Sequence, residues 1–182
     1  MRKVLFAAML FLGVQTANAQ EEGNGQNVIK VNPLGLIFGS ANVGFERAIN
    51  EKSSFVIAPQ FGGFKLGGMK YSSFGAGAQY RMYFSKTKTA PEGFYGAPGL
   101  SFVSGKVKYD DGMNEKEEIK FSSFGGGVMV GHQWIYNSGF VLDLGAGVNY
   151  QKFNYKDNED NSFALKASGM LPALSFSIGY NF

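Results

Sequence analysis

The sequence predicts an all-β chain folded as an eight-stranded antiparallel up-and-down transmembrane β-barrel. Three observations carry that expectation. Apolar residues recur with a period of two, and no window holds a sustained helical stripe. The face opposite the apolar one is small or polar, built of Gly, Ser, Asn and Gln with Arg81 and Asp143 among them. The connections between alternating runs switch between short and long, as in a membrane barrel whose two rims differ.

The first element precedes the barrel. "MRKVLFAAMLFLGVQTANAQ" has a basic start (Arg2, Lys3), an apolar run from Val4 to Val14 and a small-x-small site at Ala17-Asn18-Ala19. This is the pattern of a secretory signal peptide over residues 1–19, with cleavage leaving Gln20 as the first mature residue. The apolar run is too short for a transmembrane anchor. Residues 20–27 read as a flexible periplasmic leader, and 28–182 as the barrel.

Strand one is expected at about 28–38. Its Leu34, Leu36 and Phe38 share a parity with Lys30 and Asn32, so a bulge at Pro33 is needed to keep one face apolar. A tight turn near Gly39-Ser40 leads to strand two (41–49), and "NEKS" (50–53) leads to strand three (54–64). Strand four (71–84) places Phe74, Ala76, Ala78, Tyr80, Met82 and Phe84 opposite Ser73, Gly75, Gly77, Gln79, Arg81 and Tyr83. "SKTKTAPEG" (85–93) joins it to strand five (94–105), and strand six (121–135) repeats the start of strand four as "SSFGGGVMVGHQW". After "YNSG" (136–139), strand seven (140–153) sets Phe140, Leu142, Leu144, Val148 and Tyr150 against Asp143, Gly145, Gly147 and Asn149. Strand eight (165–182) is the clearest, with Leu174, Phe176, Ile178, Tyr180 and Phe182 on one face and Ser175, Ser177, Gly179 and Asn181 on the other.

The short connections are assigned to the periplasm and the longer charged ones (65–70, 106–120, 154–162) to the outside, with both termini periplasmic. Aromatics gather at the strand ends: Phe55, Phe84, Phe94, Trp134, Phe140 and Phe182 at one, Phe64, Tyr71, Tyr109, Phe121 and Phe153 at the other. These read as two interfacial girdles. Pro59, Pro98 and Pro172 fall inside strands, where bulges or strand ends are expected because proline cannot donate to a closed ladder.

Composition excludes several functions. Removing Arg2 and Lys3 takes the formal charge from +3 to +1, since residues 1–19 carry no acid, and no basic stripe remains for nucleic acid. The absence of cysteine excludes disulfides, a thiol nucleophile and Cys-type zinc sites. The repeated Gly-x-Gly pairs alternate along strands and lack the third glycine and βαβ context of a dinucleotide site. Small residues suit the inner face of a narrow barrel.

With these residues in view, the chain resembles small bacterial outer-membrane β-barrels, of the kind that includes the OmpA-type eight-stranded domain. The terminal "FSIGYNF", with Tyr180 and the final Phe182, is similar to the assembly signal of such barrels. "VNPLGLIFGSANVGFER" resembles the start of a poorly characterised group of exported barrels, many from Bacteroidetes-type bacteria. The resemblance implies residence in the outer membrane, insertion by the outer-membrane assembly machinery, and contact with outer-membrane lipid and lipopolysaccharide. It implies no particular activity.

The candidate chemistry is sparse. His132, the only histidine, falls on the lipid-facing parity beside Trp134, without a converging Ser and carboxylate. "DNEDN" (157–161) lacks the glycine and closing glutamate of an EF-hand loop, and Asp111-Gly112 reads as a turn. Glu46, Arg81 and Asp143 share the inner parity at similar depth; they either pair as a lumen charge cluster or are separately hydrated by lumen water, and Lys30 offsets the negative excess of the cluster if strand one has the bulge at Pro33. The expectation is a monomeric barrel with a structural or surface-interaction role and no catalytic, metal or cofactor site. The alternatives are a lipid-modifying enzyme and a narrow channel for small solutes.

Overall fold

The computed structural model describes residues 25–37, 39–110, 116–156 and 166–182. Eight antiparallel strands, each paired with its neighbour in chain order, close into one barrel. They are β1 (Asn27–Val31), β2 (Ser40–Asn50), β3 (Ser53–Leu66), β4 (Met69–Tyr83), β5 (Gly93–Asp110), β6 (Lys116–Ile135), β7 (Phe140–Lys156) and β8 (Lys166–Asn181). One short helix, α1 (Pro33–Ile37), follows β1. Asn27 and Phe182 meet at one end of the barrel, its lower rim.

The first strand departs from expectation. It ends at Val31, and there is no bulge at Pro33. The Gly35 amide donates to Asn32 Oδ1 at 3.0 Å, so Asn32 caps α1 and Pro33 takes the first helical position, where its missing N–H costs nothing. The parity conflict disappears with it: Val28 and Lys30 are buried, Ile29 and Val31 are exposed, and Leu34 and Leu36 belong to the helix.

At the upper rim the strands run further than their charge suggests. The 65–70 segment is a two-residue hairpin, with Gly67 and Gly68 at φ of +50° and +82°, the left-handed pair that a type I′ turn needs. β5 and β6 pair as far as Asp110 and Lys116, and β7 pairs through Lys156. The Asp111-Gly112 turn and the 157–161 segment lie outside the described residues, as do Phe38, Ala17, Ala19 and Gln20.

Pro59, Pro98 and Pro172 sit inside strands with no bulge. Pairing lapses on one side instead. β2 skips its partners opposite Ala58 and Pro59, β4 skips those opposite Ala97 and Pro98, and both ladders resume in the same register. Pro172 lies where β8 has outrun β1. The register shift in the β2–β3 pair falls elsewhere, between Ala48 and Asn50.

The upper girdle also needs correction. Phe64, Tyr71, Tyr109, Phe121 and Phe153 take the inner parity of their strands, and Phe64, Tyr71 and Phe121 form a stack at 5.1 and 5.9 Å. The Phe121 ring covers Gly105, where an added Cβ would meet it at 2.5 Å. The outward aromatics at this height are Phe61, Phe74, Phe102, Phe124 and Tyr150, all exposed.

The inner glycines have a steric reason. At Gly125, Gly127 and Gly147 an added Cβ would run into the Tyr150, Val148 and Val128 carbonyl oxygens of the adjacent strand. The β6–β7 wall curls too tightly to carry inward side chains there.

Candidate functional site in the barrel interior

The lower lumen is filled by an ion network drawn from five strands. Glu46, Asp143 and Gln133 are fully buried, with Arg81 and Lys30 only 3% and 4% exposed. Lys30 Nζ uses all three donors, on Glu46 Oε2 (2.6 Å), Asp143 Oδ2 (2.7 Å) and Gln133 Oε1 (2.8 Å). Arg81 Nη1 reaches Asp143 Oδ2 at 2.8 Å, Gln133 Oε1 at 3.2 Å and Glu46 Oε2 at 3.3 Å. Its Nε and Nη2 donate to Gln79 Oε1, each at 3.3 Å.

The remaining carboxylate oxygens are also satisfied. Glu46 Oε1 accepts from Ser54 Oγ and Tyr83 Oη, both at 2.5 Å, and Asp143 Oδ1 accepts from Tyr95 Oη at 2.8 Å. The Arg81 guanidinium carbon stands 4.0 Å from the Tyr95 ring centroid, a cation–π contact. Two cations face two carboxylates, so the cluster is formally neutral. Burial of charge on this scale is tolerated only when every charge has partners, as here.

The structure thus brings together Glu46, Arg81 and Asp143, with Lys30 bridging both carboxylates. Sequence reasoning missed Gln133, Ser54, Tyr83 and Tyr95, although all four carry the inner parity of their strands. Two glycines make room for Tyr95: an added Cβ at Gly131 would meet its hydroxyl at 2.5 Å, and one at Gly145 at 3.1 Å.

The β4–β5 connection is more than a turn. Ala90 and Pro91 are buried, the Ala90 amide donates to the Glu51 carbonyl at 2.8 Å, and Gln133 Nε2 donates to the Pro91 carbonyl at 2.5 Å. The segment folds into the lower rim and caps the network from below. Apolar contacts finish the seal, with Tyr83, Tyr95, Ala90 and Ala97 packed on one side and Val28, Ile135 and Val141 on the other. Above the network lies a polar cavity of about 300 Å³.

The other singled-out residues lie elsewhere. His132 packs outward between Phe94 (centroids 4.3 Å apart) and Trp134 (4.2 Å), and its Nδ1 has no hydrogen-bond partner among the described residues. Phe182 exchanges backbone hydrogen bonds with Asn27 at 2.9 and 3.0 Å, closing the β1–β8 seam. Tyr180 pairs with both Ile29 and Phe140, and its ring lies over Gly139, which has a φ of +80°. Among the described residues, no group of His, Cys, Asp and Glu is placed to hold a metal ion.

Residues 5–169 match the family described as a protein of unknown function (DUF3575). No curated protein and no solved structure matches the chain.

Proposed function

The chain belongs to the DUF3575 family, and we propose that it is a monomeric outer-membrane barrel of the bacterial envelope with a structural or surface-interaction role. One observation carries this reading: the barrel is inverted relative to a water-soluble one. Lys30, Glu46, Arg81 and Asp143 are buried inside, while Leu174, Phe61 and Phe74 stand outward at 86%, 62% and 58% exposure. In water that surface would be an aggregation site; in lipid it is the expected outer face.

The dimensions agree. Phe124 to Trp134 on β6 and Phe140 to Tyr150 on β7 each cover ten residue steps between outward aromatics. At about 3.3 Å per residue and a tilt of about 40°, ten steps rise roughly 25 Å, the height of the apolar band of such barrels. Outward Lys106, Lys108 and Lys120 follow just beyond the upper aromatics, gathered around Glu118 at 4.0, 2.6 and 3.4 Å. Cations at that height suit a headgroup layer rich in phosphate, so outer-membrane lipid and lipopolysaccharide are the proposed surroundings. Insertion through the outer-membrane assembly machinery follows from the same reading.

The plugged lower lumen favours this role over a channel. The test is expression with the signal peptide in a Gram-negative host, followed by membrane fractionation and gel migration with and without boiling. The expected result is a heat-modifiable band in the outer-membrane fraction. A soluble periplasmic product would refute the proposal. A lipid-modifying enzyme acting through His132 is separated by His132→Ala, which would abolish a lipid product that the barrel reading does not require.

A further inference from the structure

β1 has five residues, so the barrel wall is complete only in its lower part. β8 runs from Lys166 to Asn181, yet β1 meets it only from Ile178 to Asn181. Phe182 exchanges both backbone hydrogen bonds with Asn27, and the direction of such groups alternates along an antiparallel strand. Even-numbered residues of β8 therefore aim their backbone groups toward the β1 side. Phe176, Leu174, Pro172 and Met170 do so where no strand stands opposite among the described residues. Pro172 has no N–H to leave unpaired there.

The gap falls within the band proposed to sit in lipid, because Met170 is level with Tyr150 of the upper girdle. An open sheet edge facing acyl chains is not tolerated in a membrane, since no water is there to pair the free backbone groups. Helix α1 contacts both β2 and β8 beside the gap, with Leu34, Leu36 and Ile37 exposed. It shields the edge only in part.

Two hollows meet at this place. Inside is the polar cavity above the ion network, with Asn42, Gln60, Asn149 and Ser177 in its lining. Outside is an apolar groove that includes Leu34, Val130, Leu144 and Phe176. Asn32, Leu174 and Ser175 belong to both. A molecule that fills them together has a polar end and a hydrocarbon end.

We propose that the gap between β8 and β2 is a lateral binding site for a membrane lipid, with its headgroup in the cavity and an acyl chain along the groove. Lys30 and Arg81 are already neutralised by Glu46 and Asp143, so the cavity offers amides and hydroxyls rather than free charge. It fits an uncharged headgroup rich in hydroxyls or amides, a sugar above all, which would also satisfy the β8 edge. This inference rests on the membrane reading.

The chain has no cysteine, which makes single-cysteine probing clean. Ser175→Cys places a thiol at the gap, and Ser101→Cys places one on β5, across the cavity. Each barrel is reconstituted in phosphatidylcholine vesicles containing a diacyl phosphatidylethanolamine with a maleimide on its amine, which stays in the bilayer. A water-soluble maleimide supplies the intrinsic reactivity of each thiol. After that normalisation, the lipid reagent is expected to label Ser175→Cys at least tenfold faster than Ser101→Cys. Equal rates, faster labelling at Ser101→Cys, or no lipid labelling of a barrel that floats with the vesicles overturns the proposal alone. A barrel that neither floats nor shows heat-modifiable migration removes the membrane reading, and the lateral site with it.

Discussion

Replacing Arg81 with methionine probes the interior network most directly. The substitution keeps a long apolar stem but removes every hydrogen bond the guanidinium makes to Asp143, Gln133, Glu46 and Gln79. Two buried carboxylates would then share Lys30 alone. Breaking a buried pair by removing one partner costs on the order of 3–5 kcal/mol. Loss of the Tyr95 cation–π contact adds about 1 kcal/mol. With a urea dependence of roughly 2 kcal/mol per molar, a loss of about 5 kcal/mol lowers the unfolding midpoint by about 2.5 M. Trp134, the only tryptophan, reports the transition by fluorescence in vesicles. The partner series gives the sharper test. Adding Asp143→Asn to Arg81→Met should recover part of the loss, by a coupling of roughly 1–3 kcal/mol. Adding Glu46→Gln should recover less, because Arg81 lies 3.3 Å from Glu46 but 2.8 Å from Asp143. Strictly additive losses across these double mutants would refute the network, leaving separate polar side chains in a wet lumen.

Three further outcomes follow from the same structure. Deleting Phe182 removes the residue whose backbone seals β8 to Asn27, so the heat-modifiable folded band should be depleted, and an undiminished band would count against that role. An amine reagent that cannot cross the membrane, applied to intact cells, should label Lys116 and Lys156 at the upper rim and spare Lys52 and Lys88 near the lower one; the reverse pattern would invert the orientation. Gly131→Val should drive a side chain into both Tyr95 and the Leu144 carbonyl and cost about 1–3 kcal/mol, whereas Val130→Ala, next in sequence but outward, should cost little; equal effects would mean that the wall beside Gly131 has room to give.

The barrel was legible in the sequence because a strand writes its two faces into alternate residues. Phe140, Leu142 and Leu144 against Val141, Asp143 and Gly145 assign sides without any knowledge of neighbours, and Glu46, Arg81 and Asp143 carry the inner parity by the same logic. Parity also carried information that went unused: Phe64, Tyr71 and Phe121 sit on the inner face by simple counting, although their place at strand ends suggested a girdle. What parity cannot encode is how strands are staggered around a closed wall. The depth that brings Lys30 and Tyr95 onto Asp143, and Gln133 onto Lys30, depends on the register of eight ladders at once. The inward fold of Ala90 and Pro91 depends on an empty space that exists only after closure. The end of β1 at Val31 was hidden for a local reason, since "NPLGLI" alternates passably as a strand while Asn32 and Pro33 start a helix. That early stop leaves the β1-side edge of β8 without a strand opposite it above Ile178 among the described residues. Such an opening belongs to no single stretch of chain, because an unpaired edge is defined by the strand that fails to reach it.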